Sequence, residues 1–222
     1  IEDPVEYKIP GLNQIQVNTE TGVTFARGLR SIVRQDPDVI LVGEIRDDET
    51  AEISINAALT GHVVLTTFHA NDAATAIPRL LKMHVEPFLI ASTVQAIVAQ
   101  RLVRATCQQC RGSYQLDASQ VKALFPLASK LFGQKGVRLY RGKGCANCNH
   151  SGYRGRVGIF EVIPMTEELK DLIMSSPSAK DIWALVRKQG VKTLFEDGIE
   201  KVKRGVTTID ELLRVAEPPT EL

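Results

Sequence analysis

The four cysteines of the chain lie in two pairs of identical spacing, Cys107-Gln108-Gln109-Cys110 and Cys145-Ala146-Asn147-Cys148. Paired C-x-x-C knuckles suit a tetrahedral Zn²⁺ ion, each knuckle supplying two thiolates at about 2.3 Å. A four-sulphur shell leaves no place for a reactive water, so the expected role is structural: the ion staples a loop-rich segment whose own core is small. Disulfides would need an oxidising compartment, and a redox dithiol has no use for two identical pairs. The 34 residues between the knuckles are more than a compact zinc ribbon holds, so the loop is expected to carry a helix. His150 follows the second knuckle closely and is expected outside the metal shell. Arg138, Arg141, Lys143, Arg154 and Arg156 surround this segment and read first as a solubilising surface, with an anionic partner as the alternative.

A second set of groups follows two apolar runs. Val39-Ile40-Leu41-Val42 leads into Gly43-Glu44, and Val63-Val64-Leu65-Thr66-Thr67 leads into Phe68-His69-Ala70-Asn71-Asp72. Continuous β-branched runs suit parallel strands buried on both faces. Polar groups just after them stand at the carboxyl edge of a parallel sheet, where open α/β folds bind ligands. A carboxylate there can hold magnesium or polarise water, or it can merely cap the next helix. A histidine there can face a phosphate. Phosphoryl transfer gathers negative charge on the equatorial oxygens, so fixed cations and oriented donors supply most of the catalysis.

The elements that must position these groups alternate. Ile1–Tyr7 and 13–18 read as short strands, the second with Ile15 and Val17 on one side and Gln14 and Gln16 on the other. Thr24 caps a helix to about Gln35, stopped by Asp36-Pro37, with Phe25, Leu29, Ile32 and Val33 on its apolar face. Arg27, Arg30 and Arg34 share another face, which is either solvated or aimed at a ligand. A helix from Asp47 or Asp48 to Thr60 ends at Gly61, and another runs from Asn71-Asp72 to about Met83. The run Phe88–Arg104 is expected to form one long helix, 118–132 another, 157–162 a strand, and the remainder short amphipathic helices. Strand, helix, strand, helix with short links is the pattern of a parallel α/β sheet.

These residues resemble the type II secretion and type IV pilus assembly or retraction ATPases. Ile1-Glu2-Asp3-Pro4-Val5-Glu6-Tyr7 looks like the family's acidic box, Leu41-Val42-Gly43-Glu44-Ile45-Arg46-Asp47 like its Walker B strand, and Gly61-His62 through His69-Ala70-Asn71-Asp72 like its histidine box. The resemblance spans essentially the whole chain, and the four cysteines mark the assembly and secretion branch. It implies a RecA-like α/β core over residues 1–104, a four-cysteine zinc subdomain over 105–160 and a helical region over 161–222, the whole C-terminal part being mainly helical. It also implies ATP and Mg²⁺ as cofactors, a homo-hexamer, an inner-membrane platform protein as partner, and a cytoplasmic place at that membrane. Residue by residue, it implies Glu2 as general base or water-orienting acid, Glu44 for magnesium and water, and His62 and His69 as phosphate sensors. Arg27, Arg30 and Arg34 match arginines that face nucleotide, in part across a subunit boundary. No G-x-x-x-x-G-K-[ST] loop occurs in the chain, so it reads as the part that follows that loop, opening at Ile1 on a fragment boundary, and it is expected not to turn over ATP alone.

Bulk properties narrow the alternatives. With 27 basic and 26 acidic residues the net charge is +1, which sets up no long-range attraction for nucleic acid or anionic lipid, and aromatics at 5% leave few stacking platforms. A RecA-like nucleic-acid motor with a zinc ribbon is therefore the weaker rival. A non-catalytic, zinc-stapled interaction module is the other. No run reaches the roughly 18 apolar residues of a membrane span, which with the absence of a leader implies a soluble protein.

Overall fold

The computed structural model describes residues 1–219. Contacts divide the chain into two compact units, one formed by residues 1–97 and 163–189, the other by 98–162 and 190–222. Residues 161–222 are thus shared between the units rather than forming one block.

In the first unit, helix α1 (Phe25–Val33) starts where the Thr24 side chain accepts the Arg27 N–H. Strand β1 (Val39–Val42) follows, then α2 (Asp48–Leu59), capped by Asp47, and β2 (Val63–Thr66), which pairs in parallel with β1 at Val39–Val63 through Val42–Thr66. Phe25, Leu29, Ile40, Val42 and Ala57 bury one face of the pair, together with Ile1. The other face is bare: Val39, Leu41, Val63 and Leu65 are all about half exposed. The expectation of burial on both faces therefore fails within this chain, because the helices cover a single side.

Helix α3 (Ala76–Lys82) begins later than expected. Asp72 Oδ1 takes the Thr75 N–H and hydroxyl instead, spending the cap on a turn. Helix α4 (Pro87–Thr93) stops at Val94, which is extended, and the chain continues as strand β3 (Ala96–Thr106). The single long helix expected over 88–104 is thus a helix and a strand. Val94, Ile97, Val98 and Val103 are β-branched, and tertiary pairing of β3 with a later strand decides in favour of their strand preference.

The second unit is built on β3, the hairpin β4 (Arg111–Leu116) and β5 (Val137–Gly142), and β6 (Tyr153–Pro164), which pairs with β3. Helices α5 (Ala118–Leu124) and α6 (Ala128–Phe132) replace the one helix expected over 118–132, because Pro126 forces Phe125 into extended backbone. Two more helices of the first unit follow β6, α7 (Glu167–Ile173) and α8 (Ala179–Lys188), and the second unit is completed by α9 (Leu194–Lys203) and α10 (Ile209–Val215). Strands and helices share this unit, so the expected mainly helical C-terminal domain is corrected to a mixed one. Its core joins Val103, Leu139 and Ile159 of the strands to Phe195, Ile199 and Leu212 of the helices, with Phe125 set edge-on to Phe195 at 5.1 Å.

A buried carboxylate fixes α10 against β3. Both oxygens of Glu211, fully shielded from water, are taken by the Arg104 and Arg214 guanidiniums at 2.7–2.9 Å, and Oε1 also accepts the Arg104 backbone N–H. Arg214, opposed by burial and helped by Arg104, brings the Glu211 carboxyl down to about 2 from an ordinary 4.5. Its stabilising contribution is complete above pH 4.5 and is lost as pH falls toward about 2. Glu211→Gln is expected to cost about 3 kcal/mol in urea denaturation at neutral pH, and to flatten the loss of stability of the parent chain between those pH values.

Candidate functional site

The rim of the first unit is assembled by backbone pairing. The Ile1 nitrogen donates to the Leu41 carbonyl at 2.7 Å, and the Gly43 N–H returns a bond to the Ile1 carbonyl at 2.8 Å. On its other side Glu2 donates to Ile15 and accepts from Val17, at 3.0 and 2.9 Å. Residues 15–17, Ile1–Glu2, β1 and β2 therefore lie side by side; of the longer strands expected at 1–7 and 13–18, only Ile1–Glu2 and 15–18 are paired, Asn18 bridging to Val23 instead. Gly43 makes the close approach possible: a Cβ there would stand 3.2 Å from both the Glu2 Cα and the Ile1 carbonyl oxygen.

Glu44 leaves β1 with its two oxygens occupied. His69 Nε2, from the segment after β2, lies 3.0 Å from Oε2, and the Arg46 guanidinium binds Oε1. The other arm of Arg46 donates to Asp3 Oδ2 at 3.1 Å, and its Cζ sits 5.9 Å from the Phe25 ring. The Arg46 hydrogen bond, against a smaller desolvation effect, holds the Glu44 carboxyl below its ordinary range, with His69 adding to the same direction. Sequence reading named Glu44 and His69 but passed over Arg46 and Asp3. The signal for Arg46 was an acid and a base two residues apart just past an apolar strand, close enough for the two side chains to meet.

The other candidates are less concentrated. Glu2 lies over Gly43 and accepts a hydrogen bond from Gln14 Nε2 at 3.0 Å. His62 is at the opposite end of β2, its Nδ1 2.9 Å from the Ala57 carbonyl, so four strand residues, about 13 Å, separate it from the His69 end. Arg27 donates to the Gly22 carbonyl, Arg30 pairs with Glu49 on the surface, and Arg34 is exposed just past the end of α1. Glu44 and His69 are thus in contact, Glu2 lies over the neighbouring Gly43 with its carboxylate bonded to Gln14, and His62 is not brought to the rim.

In the second unit all four cysteines converge, their sulphurs within 4.8 Å of one another. Separations of 3.9 Å for Cys107–Cys145, 3.9 Å for Cys110–Cys148 and 3.7 Å for Cys145–Cys148 match the edge of about 3.8 Å that a tetrahedron with 2.3 Å metal–sulphur bonds requires. No disulfide joins them. The Cys145 backbone N–H points at Cys148 Sγ at 3.2 Å. Burial pushes the Cys148 thiol up, but the Cys145 and Gly152 N–H groups outweigh it and bring it down to about 6. The second knuckle is drawn in by a backbone crossing at Gly142 and Gly152, where any Cβ would collide with the opposite chain, and by the Cys107 N–H bond to Gly152. His150 is outside the cluster, as expected. Arg154 donates to the Asn147 carbonyl, and Arg141 stacks over Tyr114 at 5.3 Å.

If Gly43 admits Ile1–Glu2 to the rim, Gly43→Ala should lower stability by about 1 kcal/mol and Gly43→Val by about 2–3 kcal/mol, measured by urea unfolding. An unchanged midpoint for the valine variant would mean that the close approach is not required.

Residues 1–214 match the family model described as Type II/IV secretion system protein. The chain is 48% identical over 213 residues to the type IV pilus assembly ATPase PilB of Thermus thermophilus, which covers 96% of this chain and 24% of that protein. It is 46% identical over 217 residues to the type II secretion system ATPase E of Vibrio cholerae, with 98% and 42% covered. Among solved structures, the pilus retraction motor PilT with bound ADP aligns at a TM-score of 0.67 and 25% identity over 100% of this chain and 52% of that one. The chain therefore spans between about a quarter and two fifths of these two sequence relatives. With the acid, histidine and cysteine sets all present in the matched region, the chain belongs to the type II/IV secretion system protein family.

Proposed function

We propose that the chain is the post-phosphate-loop half of a RecA-like, hexameric ATPase that hydrolyses ATP to drive pseudopilus or type IV pilus assembly and type II secretion. The observation that carries this reading is the contact between Glu44 and His69 at the carboxyl end of the parallel pair β1–β2. An acid and an imidazole that meet there suit a γ-phosphate and its metal.

Magnesium, bound with ATP, supplies positive charge that offsets what develops on the transferring oxygens. Carboxylate oxygens are the donors that such a hard cation takes, and Glu44 is the residue that would hold it, directly or through water. Glu2 orients the attacking water, and Asp3 shares Arg46 with Glu44, which keeps the acids from drifting apart. His69 presents its ring to the phosphate from the position that Glu44 fixes. His62 and the row Arg27, Arg30 and Arg34 complete the proposed nucleotide contacts, with the arginines serving in part an adjacent subunit. In this reading the motor works in the cytoplasm against an inner-membrane platform protein and takes no nucleic acid. Among the described residues no helix is long and apolar enough to cross a membrane. The cysteine cluster is read as a structural Zn²⁺ site, since its sulphur spacing and closed shell fit that ion.

Two measurements test the reading. The chain by itself has no phosphate-gripping loop, and phosphate release from ATP and Mg²⁺ is expected to stay at background; in the complete hexamer, Glu44→Gln and Glu2→Gln are each expected to lower turnover at least about 100-fold. Full turnover by either variant would remove that residue from the chemistry. Metal analysis should find one zinc per chain, and thiol titration should find four cysteines that react only after chelation. Cys148→Ser should lose the metal and loosen the hairpin β4–β5. Four freely reactive thiols with no bound metal would end the staple reading.

A further inference from the structure

The segment from Val5 to Asn13 leaves the rim as a loop with an apolar tip: Tyr7 is 77%, Ile9 50% and Leu12 58% exposed. Within the loop, the Leu12 N–H reaches the Ile9 carbonyl at 3.3 Å. Two glutamines of the neighbouring extended segment hold it to the rim. Gln16 Oε1 accepts the Val5 N–H at 3.4 Å, and Gln14 Oε1 accepts the Ile9 N–H at 2.9 Å. The two point the same way because side chains alternate in extended backbone.

Gln14 does more than hold the loop. Its Nε2 donates to the Tyr7 carbonyl at 2.9 Å and to Glu2 Oε2 at 3.0 Å, so one planar amide is spent on three partners. The arrangement also fixes the amide's orientation, since the Ile9 N–H needs an acceptor while the Tyr7 carbonyl and the Glu2 carboxylate need donors. Because the amide is rigid and such bonds weaken steeply with distance and angle, Tyr7 and Ile9 cannot shift without turning Gln14 and releasing Glu2.

We infer that Gln14 is a positioning residue for Glu2, and that through it the apolar loop is coupled to the acid at the rim. The inference rests on the reading of Glu2 as the water-orienting acid. Its consequence is that whatever engages Tyr7, Ile9 and Leu12 sets whether Glu2 is held in place, which gives the site an input 5 to 10 residues along the chain from the acid.

A donor–acceptor exchange in this chain tests the coupling without relying on turnover. Gln14→Glu keeps an acceptor for Ile9 but removes the donor to Tyr7 and Glu2 and sets two carboxylates together. Amide exchange at Ile9 and along the loop, followed by NMR, is expected to accelerate about tenfold or more. Adding Glu2→Gln returns a donor from the opposite side, and exchange is expected to come back to within about threefold of the parent. Gln14→Met, of similar length but without hydrogen-bonding groups, should accelerate exchange with no rescue by Glu2→Gln. The coupling is overturned if the double variant exchanges as fast as Gln14→Glu alone, or if Gln14→Met leaves the loop as protected as before. Should Gln14→Glu unfold the first unit, seen as a collapse of the whole amide spectrum, the methionine variant still decides. Failure here counts against the coupling only, whereas unchanged turnover of the hexamer with Glu2→Gln counts against the role of Glu2 itself.

Discussion

Four backbone hydrogen bonds clamp Ile1 and Glu2 between residues 15–17 and the end of β1, and the rim depends on that clamp. Side chains in paired strands have no freedom to choose a face, so the register that joins Ile1 to Leu41 and Gly43 also decides where Glu2 and Asp3 project. Once the register is set, Arg46 can span Asp3 and Glu44, and His69 can meet Glu44 from the next strand. The acids are therefore placed by main-chain geometry first and by charge second. Exposed ion pairs are worth little individually, so Arg46 and His69 reinforce this placement rather than create it.

Much of the rim was legible in the residues. The apolar runs at 39–42 and 63–67 marked a parallel pair, and the polar groups just after them had to emerge at one edge. Asp47 and Thr24 announced helix starts by local capping, a signal that needs no tertiary context. The run 88–104 was misread because its apolar residues crowd every side, so neither helical nor strand periodicity stood out, and pairing with β6 resolved it. Pro126 was a visible breaker that the apolar pattern of 118–132 overrode. Gln14, and the Arg46 bond to Asp3, were hidden for a different reason: Gln14 reaches Tyr7 and Glu2 at separations of 7 and 12 residues and Arg46 reaches Asp3 at 43, and no spacing pattern links a polar side chain to such partners.

The second unit solves a different problem. Its hairpin strands are only six residues each and carry glycine, and part of its surface is given to arginines lying on tyrosines, as with Arg111 on Tyr140 and Arg104 on Tyr153. Two polar devices compensate at separate places. The converging cysteines bring Cys107 and Cys110 against the distant turn at Cys145–Cys148, and Glu211 ties the start of α10 to the end of β3. Each joins segments that are remote in sequence and close in space, as covalent cross-links do in small domains with limited cores.

The uncovered side of β1 and β2 also has a practical meaning. Val39, Leu41, Val63 and Leu65 form a greasy wall two strands wide, beside the polar rim on the same sheet. Sulfate and phosphate strengthen the tendency of such surfaces to escape water. Buffers rich in those anions would thus drive isolated chains to stack through this wall, while leaving the acid-lined edge wet.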